Sequence, residues 1–123
     1  MKALVVDDSR AMRMILRRTL TELGYEVKEA GGGRDALTVL GTEQPPPSLM
    51  LVDWNMPEMS GLELVQKVRG EPRYAKVSVL MVTTETEVEQ MTAALSAGAN
   101  EYMMKPFTKE ILEDKLRLLD LTL

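Results

Sequence analysis

The sequence predicts a doubly wound α/β domain, a five-stranded parallel sheet with helices on both faces. Three observations carry this. Short apolar runs alternate with stretches of helical periodicity, in the order strand then helix, five times along the chain. Three of the runs, ALVV from Ala3, LMLV from Leu49 and VSVLMV from Val77, are almost unbroken, as strands buried on both faces are. At 123 residues the chain makes a single core and is too short for a second domain beside it.

Taken in order, Ala3 to Val6 is the first strand and ends at Asp7 and Asp8. Ser9 caps a helix running to about Leu23, with Met12, Ile15, Leu16, Leu20 and Leu23 inward and Gly24 as its stop. Tyr25 to Ala30 alternates polar with apolar, which implies one wet face or an edge strand. Gly31, Gly32 and Gly33 form a turn, since GGGRDA lacks the spacing and the Lys-Ser/Thr of a phosphate loop. A second helix, Arg34 to Gly41, turns Ala36, Leu37 and Leu40 inward, and Pro45 to Pro47 make a stiff connector.

The third strand, LMLVD from Leu49, delivers Asp53 and must leave the sheet by Pro57, which cannot extend a ladder. Met59, Ser60 and Gly61 lead into a third helix with Leu62, Val65 and Val68 inward, and Gly70 to Lys76 is a loop. Val77 to Val82 is the fourth strand, ending at Thr83 and Thr84. A fourth helix from Glu87 to Ala97 carries Val88, Met91 and Leu95 as its core stripe, with Gly98 as its stop. Asn100 to Met104 is a weaker fifth strand ending at Lys105 and Pro106. Thr108 caps the last helix, which turns Ile111, the stem of Lys115, Leu116 and Leu119 inward.

Composition removes several chemistries. The chain has neither cysteine nor histidine, so there is no disulfide, no thiol nucleophile and no imidazole base or zinc ligand. A formal charge of −4 gives no reason to expect nucleic-acid binding. No apolar stretch approaches the roughly 20 residues of a membrane span. The N-terminus carries acids where a signal peptide needs apolar length, so a cytoplasmic location is expected.

Strand character also gives the order. Runs 1, 3 and 4 are continuous and central, while runs 2 and 5 are mixed and lie at the edges, which agrees with the flavodoxin-like order 2-1-3-4-5. Parallel strands all point one way, so Asp7, Asp8, Asp53, Thr83 and Lys105 emerge at one carboxyl edge. Open α/β sheets bind ligands there, at the switch point between strands 1 and 3. Carboxylates about 4 Å apart repel by roughly 4 kcal/mol per pair at an effective dielectric near 20. A cation is needed, and an all-oxygen ligand set favours magnesium over zinc. Lys105 and Thr83 add a positive group and a hydroxyl donor for a phosphate. The edge therefore suits a phosphoryl group beside a metal, with Asp53 on its central strand as acceptor.

VVDDS at Val5 to Ser9, LVDWNMPEMSGLEL at Leu51 to Leu64, MVTTE at Met81 to Glu85 and MKPF at Met104 to Phe107 resemble the receiver domain of two-component response regulators. Four motifs at four successive strand ends are specific, and within the family the pattern is closest to the stand-alone chemotaxis regulator. The resemblance implies a receiver domain over residues 1–123 with no output domain. It implies that Asp53 accepts phosphate from a sensor histidine kinase. Asp7, Asp8, Asp53 and the backbone carbonyl of Asn55 would hold Mg²⁺, and Lys105 would bind a phosphoryl oxygen. Thr83 would swing toward the phosphate with Tyr102 following inward, and the bond before Pro106 would be cis. Asn55 and Glu85 match positions that modulate phosphate loss. Thr84 replaces a common alanine, and its bulk would narrow access to the acyl phosphate. The implied product is a signalling switch rather than an enzyme, although it assists its own phosphorylation and dephosphorylation. Its output face would be helix 4, strand 5 and helix 5, its partners the kinase and a downstream target protein, and it would be a monomer while unphosphorylated.

Other readings compete. Asp7 and Asp8 alone would serve as helix-start acids, Thr83 as a strand residue and Tyr102 as an edge-strand core residue. An aspartyl-phosphate phosphohydrolase wants a second acid two residues beyond the nucleophile, where this chain has Asn55. A flavodoxin-like flavin binder wants a phosphate loop where this chain has two acids.

Overall fold

Five parallel strands, β1 (Lys2–Val6), β2 (Glu26–Ala30), β3 (Leu49–Asp53), β4 (Ser78–Thr83) and β5 (Glu101–Met104), form one sheet in the order β2-β1-β3-β4-β5. This is the order expected from strand character. The computed structural model describes residues 1–84 and 88–121, with the side chain of Val88 outside that set. The intervening helices are α1 (Arg10–Glu22), α2 (Gly33–Thr42), α3 (Gly61–Arg69), α4 (Val88–Ala97) and α5 (Lys109–Leu118).

Alternation along the strands divides the core into two layers. On one face Leu4, Val6, Met50, Val52, Val79 and Met81 pack against Ala36 and Leu40 of α2, Leu64, Val65 and Val68 of α3, and Ala94 of α4. On the other, Ala3, Val5, Leu49, Leu51, Leu80 and Val82 pack against Leu16 and Leu20 of α1 and Leu112 and Leu116 of α5. Every residue of β3 is buried, whereas β2 keeps two exposed positions, as an edge strand does.

Three residues expected inward point out. Ile15 is 54% exposed, Leu95 50% and Ile111 42%, while their neighbours Leu16, Ala94 and Leu112 take the core. Each stands in an apolar pair, and one step along a helix turns a side chain by about 100°, so the pattern leaves the phase of the buried stripe open. In α3 the same shift leaves Leu62 half-buried and buries Leu64. The side chain of Val88, assigned to the α4 stripe, lies outside the described residues, and Met91 packs at the margin of the core. The loop expected from Gly70 to Lys76 contains a 3₁₀ turn, Pro72–Tyr74, whose Tyr74 ring is buried. Proline at its first position presets the backbone angle for such a turn.

The end of the sheet remote from the acids is fastened by Arg69. Its guanidinium donates to the carbonyl oxygens of Gly98 (2.9 Å), Tyr74 (3.1 Å) and Val77 (2.7 Å) and to Asn100 Oδ1 (2.7 Å). Gly98 has φ +116°, and a Cβ there would lie 2.4 Å from Arg69 Cγ, so both the turn and the close approach require glycine. Among the described residues no helix is long and apolar enough to cross a membrane.

Candidate functional site

β1 stops at Val6, and the N–H of Asp7 donates to Ala30 O at 3.2 Å, which carries Asp7 one step past the ladder. Its carboxylate is buried and divided between two donors. Oδ1 accepts from the Ser9 N–H at 2.8 Å, and Oδ2 accepts from Lys105 Nζ at 3.0 Å. Ser9 Oγ in turn caps α1 by accepting from the Met12 N–H at 3.2 Å. Asp7 thus serves the helix start with one oxygen and the carboxyl edge with the other. Asp8, beside it, is exposed.

β3 ends at Asp53, which is 7% exposed. The chain then turns back at once, with the Gly61 N–H donating to Trp54 O at 2.9 Å. A Cβ on Gly61 would sit 2.3 Å from the backbone oxygen of Asp53 and 3.0 Å from Trp54 Cα. Only glycine lets the start of α3 pass this close behind the acid. Gly61→Ala is therefore expected to cost about 2 kcal/mol, roughly 8 °C in thermal midpoint, through overpacking against backbone. Gly41→Ala, where a Cβ meets nothing within 4 Å, should be neutral or slightly stabilising in the same circular-dichroism melts.

Lys105 follows β5, and its N–H donates to Thr83 O at 2.7 Å. The Lys105–Pro106 bond is cis, as is Gln44–Pro45. The ammonium reaches back across the sheet edge to Asp7 Oδ2 and to Asp53 Oδ1 at 3.2 Å. Burial and the charge of Asp7 hold the Asp53 carboxyl above the ordinary aspartate range, and the nearby Lys105 only partly opposes them. Burial also works against the charged form of Lys105. The hydrogen bond it donates to Asp7 and the charge of Asp53 outweigh it, so the ammonium holds its proton more tightly than a free lysine.

The structure brings Asp7, Asp8, Asp53 and Lys105 together. One carboxylate oxygen from each aspartate lies within 4.8 Å of the others. Three carboxylates and one ammonium leave two negative charges, which a divalent cation would balance. The donors are all oxygen and one of the acids is open to solvent, which fits Mg²⁺ with its retained waters. Asn55 lies two residues past Asp53 and is exposed. Thr83 is the last residue of β4 and fully buried, and Thr84 beside it is exposed. Tyr102 is 4% exposed and packs with the Leu4 and Met81 layer, its strand position opposite Met81. Glu85 lies outside the described residues. Gly61 is the site residue whose importance sequence reasoning missed, having read it only as a lead into a helix. The close approach that requires glycine there is made in space, by the Asp53 carbonyl, and leaves no mark in the residues beside it.

A sequence profile of the response regulator receiver domain matches residues 3–117. A chemotaxis protein CheY homolog of Campylobacter jejuni is 50% identical over 117 residues, covering 94% of this chain and 89% of that protein. Chemotaxis protein CheY1 of Helicobacter pylori is 46% identical over 119 residues, covering 96% and 95%. The structure of chemotaxis response regulator CheY4 of Vibrio cholerae superposes with a TM-score of 0.89 at 37% identity, covering 96% of this chain and 97% of that one. With a parallel sheet in the same order and an acidic cluster at its carboxyl edge, the chain belongs to the response regulator receiver domains of the CheY type, the phospho-accepting signalling switches of two-component systems.

Proposed function

We propose that Asp53 is the phospho-acceptor of this switch, taking a phosphoryl group from a phosphohistidine of a sensor kinase in a chemotaxis or related two-component pathway. The observation that carries this reading is the Lys105 ammonium seated between Asp7 and Asp53 at 3.0 and 3.2 Å. A cation already bridging the acceptor and its neighbour is placed to follow a phosphoryl oxygen once Asp53 is esterified. In the step, a carboxylate oxygen of Asp53 attacks phosphorus, the O–P bond forms and the P–N bond to the donor imidazole breaks. Asp7, Asp8, Asp53 and the backbone carbonyl of Asn55 would hold Mg²⁺, which would supply positive charge beside the transferring group. Lys105 gives up its contact with Asp53 and turns to the phosphate. The chain in this way assists its own phosphorylation and dephosphorylation. Thr84, exposed next to Thr83, narrows the approach to the acyl phosphate, and Asn55 with Glu85 modulates its loss.

Phosphorylation places about −1.5 to −2 charges at the carboxyl edge. Thr83 at the end of β4 is drawn toward them, and Tyr102 on β5 adjusts with it. The face of α4, β5 and α5 then changes, and its exposed Leu95, Met104, Ile111 and Leu118 supply apolar area for a downstream target protein. Moving such a switch from 1:99 to 99:1 takes about 5.5 kcal/mol, the order of a few charge-assisted hydrogen bonds.

Trp54 adjoins Asp53 and reports on it. Mg²⁺ titration should change its fluorescence saturably, and a small acyl phosphate or beryllofluoride should change it further only when Mg²⁺ is present. An identical response to the phosphodonor in Asp53→Asn would rule out the acceptor assignment.

A further inference from the structure

Arg13 is tied to the acidic site from the first turn of α1. Its Nη1 donates to the backbone carbonyl oxygen of Asp7 at 2.7 Å, and its Nε donates to Glu29 Oε1 at 3.3 Å. The other oxygen of Glu29 accepts from Arg17 Nη1, one turn further along α1. A planar guanidinium held by two acceptors has little freedom, and the Arg13 side chain is only 19% exposed. It also lies over Gly31, where a Cβ would come within 3.5 Å of Nη1.

The Asp7 carbonyl has passed the end of the ladder, whose last register pair is Val6 with Ala30. Arg13 supplies the donor that the neighbouring strand no longer offers. A peptide unit is planar, so the direction of the Asp7 carbonyl fixes the Asp8 N–H and the point from which the Asp8 side chain departs. Asp8 is exposed, yet one of its oxygens lies within 4.8 Å of oxygens of Asp7 and Asp53. We propose that Arg13, backed by Glu29, is a positioning residue for the divalent-cation site, clamping the Asp7–Asp8 peptide so that both carboxylates converge beside Asp53. The proposal rests on the reading of these three aspartates as the Mg²⁺ site.

Arg13 has two effects of opposite sign on a bound cation. Its charge repels Mg²⁺, so if charge alone mattered its removal would tighten binding. Its clamp orders the ligands, so loss of the clamp weakens binding, by about tenfold, the lower end of what outer partners of metal ligands contribute. The direction of the change separates a positioning role from a structural brace.

The test is Mg²⁺ titration of the full chain by Trp54 fluorescence in wild type, Arg13→Ala, Arg13→Lys and Glu29→Gln. Melts in chelator report stability separately. Arg13→Ala should bind Mg²⁺ about tenfold more weakly. Arg13→Lys keeps the charge but loses the rigid planar fork that spans the two acceptors, and it should fall between. Glu29→Gln leaves the Asp7 contact in place and should show a smaller loss. Unchanged or tighter Mg²⁺ binding in Arg13→Ala, accompanied only by a lower melting point, would overturn the proposal. If that variant does not fold, wild-type affinity in both Arg13→Lys and Glu29→Gln would overturn it equally. A wild-type protein without a saturable Mg²⁺ response, or Asp53→Asn binding as tightly as wild type, would instead remove the cation-site reading beneath it.

Discussion

Lys105→Met is expected to destabilise the Mg²⁺-free protein by about 3 kcal/mol, roughly 12 °C in thermal midpoint, the usual result of removing one partner from a buried ion pair. The ammonium is the cation that meets both buried oxygens, Asp7 Oδ2 at 3.0 Å and Asp53 Oδ1 at 3.2 Å, and methionine fills its space without its charge. Mg²⁺ should restore much of the loss, because a divalent cation at the same cluster neutralises the same carboxylates. Alkaline pH gives a second signature. The folded pKa of Lys105 is raised, so its contribution to stability is complete below the ordinary lysine pKa and is lost as pH rises through the folded value. Wild type should therefore lose stability in strong alkali by a component absent from Lys105→Met. Melts across that range, with and without Mg²⁺, check both statements.

Asp53→Asn is expected to act in the opposite direction on stability while abolishing phosphoryl uptake. Asparagine keeps the shape and an acceptor for Lys105 but removes one of three crowded charges, so the Mg²⁺-free protein should gain about 1 kcal/mol, roughly 4 °C. The pH dependence follows from the raised pKa of Asp53. A folded state that holds this proton more tightly than the unfolded chain gains stability from the group as pH falls through the raised pKa. That component should be missing from Asp53→Asn. The same variant should lose most of its stabilisation by Mg²⁺, since a ligand has gone. A protein tuned only for stability would not keep such an acid, so a gain of stability in Asp53→Asn is the result expected of a group kept for function.

Strand order and the meeting of Asp7, Asp8, Asp53 and Lys105 were legible in the sequence. Continuous runs mark central strands, and parallel strands deliver their last residues to one edge. The phase of the helices was not legible where two apolar residues stand side by side, as at Ile15-Leu16, Leu95 beside Ala94, and Ile111-Leu112. Their assignment depends on how each helix rolls on the sheet, which tertiary packing decides. The buried Tyr74 in what read as a plain loop escaped for the same reason. So did Gly61, whose need for a missing Cβ arises from a backbone 2.3 Å away and not from its neighbours in sequence. The Arg13 contact to the Asp7 carbonyl was equally out of reach, because an arginine on a helix flank reads as solvated surface.

The central claim is that Asp53 accepts the phosphoryl group, and trapping the acyl phosphate tests it most directly. The protein is incubated with a small acyl phosphate and Mg²⁺, then treated with borohydride, which reduces an aspartyl phosphate to homoserine, and the site is read by peptide mass spectrometry. Homoserine at position 53 alone, and only with Mg²⁺ present, is the predicted result. Homoserine at position 7 or 8 instead, or no conversion under conditions where Trp54 shows Mg²⁺ bound, would contradict the account.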